Sequence, residues 1–428
     1  MDPKQLAPVL SNVTASADKL AACPTVKEAL AAILRDEKIT LADQIAITEV
    51  EAPPFHEDER AKDLMRRFQA LGLTDVTIDQ EGNVIARRPG TGNGPTLVLG
   101  AHLDTVFPAG TDVRVREENG IYHAPGISDD ARGLAVILQV LRTMQEKNIQ
   151  TVGDICFVCT VGEEGNGDLR GSKHLFLKSG MKIDGFISVD GVDVGRLLCA
   201  ATGSKRYRVH FDGPGGHSWK NYGYPSAIHA MGRAIAKIAD VHPCEEPRTT
   251  FTCGTIGGGT TVNSIAAHCE MELDMRSAGG KELEEIEAQI LPLIQAACDE
   301  ENARWGAEGD LAVKLTLEPI GHRPGGQQSD ESSVLQAARA AMNELGIELK
   351  KYNCLLYTSP SPRDYNIAIH CGIPATTLGG GGAEGFNHNV KEWYDPKDGY
   401  LGAQLAFLTS LLLVGMQGVA DPLLPKRD

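Results

Sequence analysis

Apolar runs of strand length, rich in β-branched residues, alternate with helical patterns along this chain, and no other feature of the sequence restricts its fold as strongly. A helical pattern over residues 133–145 separates two of these runs. Strands that alternate with helices predict an α/β domain whose sheet is covered by helices on both faces. The runs occupy residues 96–99, 154–161, 185–189 and 375–378.

The pattern changes between about residues 203 and 320. There the segments KRYRVHFDG, TFTCGTIGG and AHCEMELDMRS alternate as half-exposed strands do, and residues 225–239 and 281–298 have the spacing of amphipathic helices. A chain of 428 residues is long enough for two hydrophobic cores. We therefore predict an α+β domain of residues 203–320, inserted into a discontinuous domain of residues 1–202 and 321–428.

Charge and composition exclude several classes of partner. The chain has 41 Lys and Arg against 57 Asp and Glu, so the formal charge of 41 − 57 = −16 opposes binding to nucleic acid or to an anionic membrane. Ten scattered cysteines favour a reducing compartment over a disulfide framework. The N-terminal segment lacks the basic start and apolar core of a signal peptide, so a cytoplasmic location is expected. Polar residues interrupt the apolar stretch 401–420, which favours a buried C-terminal helix over a membrane span.

Potential metal ligands follow the predicted strands at five places. In HLD, His102 and Asp104 are two residues apart and so share one face of a strand end. Sites in open α/β sheets form beyond the carboxyl ends of the strands, so we expect these groups to converge. The other four places are SDD with Asp129 and Asp130, GEEG with Glu163 and Glu164, SVDG with Asp190, and FNH with His388.

Taken singly, each of these short motifs is typical of a solvated surface pair. Taken together they crowd carboxylates into one crevice, where the charges repel each other unless cations neutralise them. Two divalent ions carry +4, whereas Asp129, Glu164 and Asp190 carry −3 and one bound hydroxide carries −1, so that 4 − 3 − 1 = 0. The charge balance predicts a dinuclear metal site.

The ordered set HLD, SDD, GEEG, SVDG, GGHS, VNS, DMRS and FNH resembles the M20 family of metallopeptidases and amidohydrolases. That family includes peptidase T, carboxypeptidase G, acetylornithine deacetylase and succinyl-diaminopimelate desuccinylase. The resemblance covers nearly the whole chain. It implies a zinc-peptidase catalytic domain with a mixed sheet flanked by helices, and an inserted lid domain through which two subunits form a homodimer. It also implies two zinc ions per subunit, with cobalt or manganese as alternatives.

Carried over to this sequence, the resemblance assigns the metal ligands. His102 and Asp190 hold one metal, Glu164 and His388 hold the other, and Asp129 bridges the two. The family also has a cis peptide bond after the bridging aspartate, which here would join Asp129 to Asp130.

The resemblance further implies the catalytic roles. Glu163 is the general base, which takes a proton from a metal-bridging water and delivers it to the leaving amine. Asp104 orients the ring of the ligand His102. His217, in GPGGHSW of the inserted domain, reaches the site of the neighbouring subunit and stabilises the tetrahedral oxyanion.

Asn263 and Arg276 of the inserted domain resemble substrate-holding residues. A guanidinium suits a bidentate grip on a substrate carboxylate. For Arg276 the alternative of a surface-paired arginine on a strand stays open.

The function predicted from this set is hydrolysis of an amide bond in a small peptide, of aminopeptidase, dipeptidase or carboxypeptidase type. The alternative is an N-acyl-amino-acid deacylase, whose substrate is an N-acylated amino acid. A less favoured third hypothesis is a non-catalytic metal-binding homologue. Glu163 argues against that hypothesis, because a degenerate site has no need of a base.

Two other segments are excluded as functional sites. Cys156 and Cys159 form a C-x-x-C on a predicted strand, where side chains three residues apart point to opposite faces and cannot bind one metal together. The run CLLYTSPSPRD, residues 354–364, resembles the translation of a transposase adapter used in preparing sequencing libraries. We expect that run to make no specific contacts, and only for its last residue, Asp364, is a native origin left open.

Overall fold

The computed structural model describes residues 8–350 and 363–427. By the density of their internal contacts the described residues separate into two compact units. The second unit is Ala201–Gly326, and the first consists of the described residues before and after it. Residues 354–362 of the adapter-like run lie outside the described residues.

Four helices precede the first strand, and the strands that contain the four apolar runs then alternate with helices as predicted. Up to residue 201 the elements are α1 (Ser11–Ala22), α2 (Pro24–Arg35), α3 (Glu37–Thr48), α4 (Asp58–Ala70), β1 (Asp75–Ile78), β2 (Val84–Arg88), β3 (Thr96–His102), β4 (Arg116–Glu118), β5 (Ile121–His123), α5 (Ala131–Glu146), β6 (Asp154–Thr160), α6 (Arg170–Leu177), β7 (Gly185–Val189) and β8 (Ala200–Ala201). The second unit then adds β9 (Gly203–Asp212), β10 (Gly216–His217), α7 (Ala227–Ala239), β11 (Thr249–Gly258), β12 (Ser264–Ile265), β13 (His268–Ser277), α8 (Gly280–Trp305) and β14 (Lys314–Arg323). The chain ends with β15 (Gly326–Gln327), α9 (Ser333–Glu344), α10 (Tyr365–His370), β16 (Ala375–Leu378), β17 (Ala383–Gly385), β18 (Trp393–Asp395) and α11 (Tyr400–Val414).

The first unit is built on a mixed six-stranded sheet of order β1-β2-β6-β3-β7-β16. Strands β6, β3, β7 and β16 run parallel, and the β1–β2 pair joins them antiparallel at one edge. The α/β class, with a mixed sheet flanked by helices, is therefore confirmed. Its four parallel strands contain the four apolar runs of the sequence, because strands buried on both faces carry continuous apolar stretches.

Helices cover both faces of this sheet. Leu97 and Leu99 of β3 belong to one core with the buried residues of α5 and α11. On the opposite face, Phe186 of β7 packs edge-on against Phe176 of α6. The predicted C-terminal helix is α11, which is buried from Gly402 to Val414. Within residues 8–350 and 363–427 no helix combines the length with the hydropathy that a membrane span requires.

The second unit has the α+β pattern that the sequence predicts. Four of its strands form an antiparallel sheet of order β11-β13-β9-β14, and β10 pairs separately with β12. One face of the sheet packs against α7 and α8 through buried residues such as Phe211, Met271 and Met275. The other face carries the alternate, polar residues of the same strands, which are half-buried or exposed.

Candidate metal centre

The five predicted ligand positions lie beyond the ends of strands in the first unit. His102 ends β3, Glu164 follows β6 and Asp190 follows β7, and these three strands are parallel neighbours, so their carboxyl ends meet at one edge of the sheet. Asp129 lies just before α5, and His388 follows β17. The Asp129–Asp130 peptide bond is cis, as expected. The side chain of Asp130 caps α5 by accepting from the N–H of Gly133 at 3.0 Å.

The Asp129 carboxylate lies between two histidines. Its Oδ1 is 2.9 Å from His102 Nε2, and its Oδ2 is 3.3 Å from His388 Nε2. His388 Nε2 is also 2.8 Å from Glu164 Oε1. The ligand atoms of His102, Asp129 and Asp190 lie within 4.8 Å of one another, and so do those of Asp129, Glu164 and His388. The structure thus brings the five residues into two groups that share Asp129.

The Asp190 carboxylate indicates whether the residues of this cluster could hold a cation. Both of its oxygens are buried without a hydrogen-bond partner of ordinary geometry among the described residues. The positive charge beside it comes from Arg363, whose guanidinium forms an ion pair with Asp190 Oδ1. Imidazole nitrogens and carboxylate oxygens are the donors that zinc prefers, so this donor set fits divalent cations.

The titration behaviour of the histidines points the same way. Hydrogen bonds to Asp129 and Glu164 raise the pKa of His388 to about 10. Burial opposes the charged form of His102, but hydrogen bonds to Asp104 and Asp129 raise its pKa well above the ordinary value. The carboxylates of this cluster therefore stabilise positive charge next to them, which divalent ions would supply in place of protons.

Asp104 connects the predicted ligand His102 to the loop that carries Glu163. His102 Nδ1 lies 3.0 Å from the main-chain oxygen of Asp104 and 3.7 Å from its carboxylate Oδ1. The same carboxylate accepts from the backbone N–H groups of Glu163 at 3.0 Å and Glu164 at 2.9 Å. Asp104 therefore positions both the histidine ring and the Glu163–Glu164 loop. The Glu163 side chain is buried, and one of its carboxylate oxygens lies within 4.8 Å of the ligand atoms of His102 and Glu164.

Glu392 is a site residue that the sequence reasoning missed. Its carboxylate accepts from the backbone N–H groups of Gly126 at 2.9 Å, Ser128 at 2.9 Å and Asp129 at 3.2 Å. Burial raises the pKa of this carboxyl to about 7. Glu392 thus holds the loop that carries Asp129, the residue common to the two groups. A glutamate four residues after His388 carries no motif of its own, and its role depends on contacts more than 260 residues away in the chain.

The described end of the adapter-like run corrects one expectation. Asp364 is buried, and its carboxylate accepts from the hydroxyls of Ser172, at 2.6 Å, and of Thr160. Together with the ion pair from Arg363 to Asp190, these contacts show that the last two residues of the run pack into the first unit, with Arg363 beside the predicted ligand Asp190. The expectation that this run makes no specific contacts is therefore wrong for Arg363 and Asp364. Thr160 at the end of β6 and Ser172 on α6 are buried hydroxyls that need an acceptor, and the Asp364 carboxylate supplies it.

The remaining candidates lie in the second unit. His217 on β10 pairs with Ser264 on β12, and the main-chain oxygen of Asn263 accepts from the N–H of Ser218 at 3.1 Å, so His217 and Asn263 belong to one local structure. His217 is exposed, and its Nδ1 accepts from the N–H of Trp219 at 3.1 Å. Arg276 lies on β13, where its Nε donates to Asp274 Oδ2 at 2.7 Å.

Comparison with known proteins gives a consistent set of matches. The model of the family described as peptidase family M20/M25/M40 matches residues 98–412. The uncharacterized protein YqjE of Bacillus subtilis is 29% identical over 356 residues, which are 80% of this chain and 90% of that protein. The succinyl-diaminopimelate desuccinylase of Corynebacterium glutamicum is 23% identical over 279 residues, which are 63% of this chain and 75% of that protein.

Solved structures with the same fold include two bacterial proteins. Aminopeptidase PepT from Bacillus cereus aligns with a TM-score of 0.70 at 24% identity, covering 88% of this chain and 98% of that one. The YXEP protein of Bacillus subtilis, described as a dinuclear metal binding peptidase, aligns with a TM-score of 0.63 at 18% identity, covering 88% of this chain and 98% of that one. At these identities the likeness establishes the fold.

Proposed function

This chain belongs to peptidase family M20/M25/M40, and on that premise we propose that it hydrolyses an amide bond of small peptides with the help of two divalent cations. The observation that carries the proposal is the Asp129 carboxylate, whose two oxygens contact two different histidines in ligand groups that share it. The folds of an aminopeptidase and of a dinuclear metal binding peptidase support this reading.

The ligand groups assign the cations to residues. One cation would be held by His102, Asp129 and Asp190, and the other by Asp129, Glu164 and His388. When bound, the two ions would polarise the scissile carbonyl and lower the pKa of bound water. We propose zinc as the metal, with cobalt or manganese as alternatives, because the donors are imidazole and carboxylate groups.

Glu163 is the general base of the proposed mechanism. Its carboxylate accepts a proton from the attacking water as the water oxygen forms a bond to the carbonyl carbon. The C–N bond then breaks, and Glu163 returns the proton to the leaving nitrogen. The position of this side chain depends on Asp104, which holds the Glu163 backbone N–H at 3.0 Å.

We propose that the second unit completes the site of another copy of the chain in a homodimer. Because the Trp219 N–H donates to His217 Nδ1, the neutral ring carries its proton on Nε2 and can donate it to a developing oxyanion. Asn263 and Arg276 would hold the substrate, the guanidinium by gripping a carboxylate.

An N-acyl-amino-acid deacylase is the second candidate, because the matched desuccinylase of C. glutamicum is named for removing a succinyl group. The two candidates differ in what lies on the acyl side of the scissile amide. A panel of tripeptides, N-acetyl amino acids and N-succinyl amino acids separates them. We expect tripeptides to be cleaved fastest.

The experiment measures hydrolysis of this panel by metal-loaded protein, by chelated protein and by the Glu163→Gln variant. Chelation should abolish hydrolysis and reloading should restore it. Glu163→Gln should lower the rate by about 10²- to 10⁴-fold while its metal content stays unchanged, because a base is not a ligand. Glu28→Gln, an exposed carboxylate of α2, is the matched control and should keep the full rate. Hydrolysis that survives chelation, or a full rate in Glu163→Gln, would contradict the proposal.

A further inference from the structure

A second cluster of potential metal ligands lies on the open face of the four-stranded sheet in the second unit. His210 of β9 is directly opposite Glu270 of β13, and His268 of β13 is directly opposite Asp212 of β9. Neighbouring residues such as Phe211 and Met271 point to the other face, into the core beneath α7 and α8. The register therefore places two imidazoles and the carboxylate between them side by side on the solvent face.

The distances within this cluster leave room for one ion. Glu270 Oε2 is 3.5 Å from His210 Nδ1 and 3.7 Å from His268 Nε2, and the ligand atoms of all three residues lie within 4.8 Å of one another. These separations are longer than hydrogen bonds of ordinary length. Ligand atoms about 2.0–2.1 Å from a tetrahedral zinc ion lie about 3.4 Å from each other. The three side chains are thus spaced as ligands of a single ion.

The opposite nitrogen of each ring is held by a carboxylate. Glu318 Oε2 is 3.2 Å from His210 Nε2, and Asp212 Oδ1 is 2.8 Å from His268 Nδ1. Metal-bound histidines are usually oriented in this way, by a carboxylate on the nitrogen that does not bind the metal. Both rings therefore turn the nitrogen that remains toward Glu270.

We propose that His210, His268 and Glu270 bind a further divalent cation of the zinc class, separate from the hydrolytic pair. The three carboxylates around the two imidazoles, Glu270, Asp212 and Glu318, supply −3, of which Arg208 offsets part through Glu318 at 3.4 Å, while it also pairs with Glu272 at 2.9 Å. A divalent ion would offset most of the charge that remains. Because its ligands come from β9 and β13, and its supporting carboxylates from β9 and β14, the ion fixes the register of three strands rather than taking part in hydrolysis.

The test is a zinc titration of the full chain against a chromophoric competing chelator. The wild-type chain should show one equivalent of zinc that the double variant His210→Ala, His268→Ala does not bind, whereas His242→Ala, at an exposed histidine of the same unit, should titrate as wild type. Asp212→Asn removes the carboxylate on His268 and should weaken this equivalent by about 10- to 100-fold. Hydrolysis and the zinc that supports it should be unchanged in all of these variants.

The outcome is independent of the proposed function. If the first unit held one ion or none, the equivalent lost in the double variant would still be counted. Zinc binding by the double variant with the wild-type stoichiometry and affinity would overturn the proposal and would identify the cluster as a set of surface ion pairs. Circular dichroism spectra that match the wild type establish that the variants are folded.

Discussion

Histidines and carboxylates meet at two places in this chain, and the two places are built differently. In the first unit they lie at or beyond the ends of buried parallel strands. There His102 and Asp190 are each 1% exposed, His388 is 53% exposed, and backbone N–H groups donate to the supporting carboxylates of Asp104 and Glu392. In the second unit they lie on the open face of an antiparallel sheet, where His268 and Glu270 are 46% and 47% exposed. There the pairing of strands, rather than backbone donors, sets the spacing.

The way in which each cluster is held determines which chemistry it can support. Backbone donors and burial fix a side chain in one place and strengthen its electrostatic interactions, as catalysis requires. Side chains on an exposed sheet face are screened by water, which weakens their electrostatic interactions and suits a structural ion better than a proton transfer. The two clusters should therefore respond differently to substitution.

The largest expected effect tests whether the two units act together across subunits. Glu163→Ala and His217→Ala chains should each be inactive, since each lacks one proposed catalytic group. Mixed under conditions that allow subunit exchange, they should regain activity, because one hybrid site then has both Glu163 and the partner's His217. Activity of the mixture is compared with that of each variant alone. Heterodimers that form without any recovery would show that His217 does not act across an interface.

The first cluster could be predicted from sequence because its ligands follow apolar strands directly. The runs ending near His102, Glu163 and Asp190 identify parallel strands, and parallel strands end at one edge of a sheet. The charge balance then predicts two ions without knowledge of any distance. The sequence did not reveal Glu392, nor the backbone N–H groups of Glu163 and Glu164 that donate to the predicted Asp104 carboxylate, because such contacts leave no pattern of residues in the sequence.

The second cluster could not be predicted for a different reason. Alternation places His210 and His268 on strand faces but does not give the register that brings β9 and β13 together, and the two histidines are 58 positions apart in the chain. The sheet β17-β18-β5-β4 escaped prediction as well, since its strands have three residues each and show no periodicity. Long-range pairing is decided by tertiary packing, which a local pattern does not contain.

A smaller effect, on the affinity for a cation, is expected from the positive charge of Arg363, which lies in the first cluster. Arg363 pairs with Asp190, so its guanidinium competes with a cation for that ligand. We expect Arg363→Ser to raise the affinity for the cation of the His102 group by about tenfold, or ~1.4 kcal/mol, as measured by competition with a metal indicator. Arg363→Lys keeps the charge and serves as the matched control. Equal affinities in the wild type and both variants would show that the arginine moves aside when metal binds.

An effect of similar size is expected on stability, where a buried carboxylate of the first unit is compared with an exposed one of the second. Asp364 accepts from the hydroxyls of Ser172 and Thr160 inside the fold, so Asp364→Ala leaves two buried donors without this acceptor. A loss of about 1–3 kcal/mol is expected, seen as a fall of a few degrees in the melting temperature. In metal-free protein, Asp212→Ala removes an ion pair whose carboxylate is 57% exposed, and should cost less than about 1 kcal/mol.

A third variant separates Asp364 from the rest of the adapter-like run. Replacing residues 354–362 by a Gly/Ser linker, with Arg363 and Asp364 retained, should leave the melting temperature unchanged or raised. A fall after that replacement, larger than the one caused by Asp364→Ala, would mean that the run itself stabilises the fold. If the exposed Asp212→Ala proved as costly as Asp364→Ala, burial would not be what determines the cost of removing these two carboxylates.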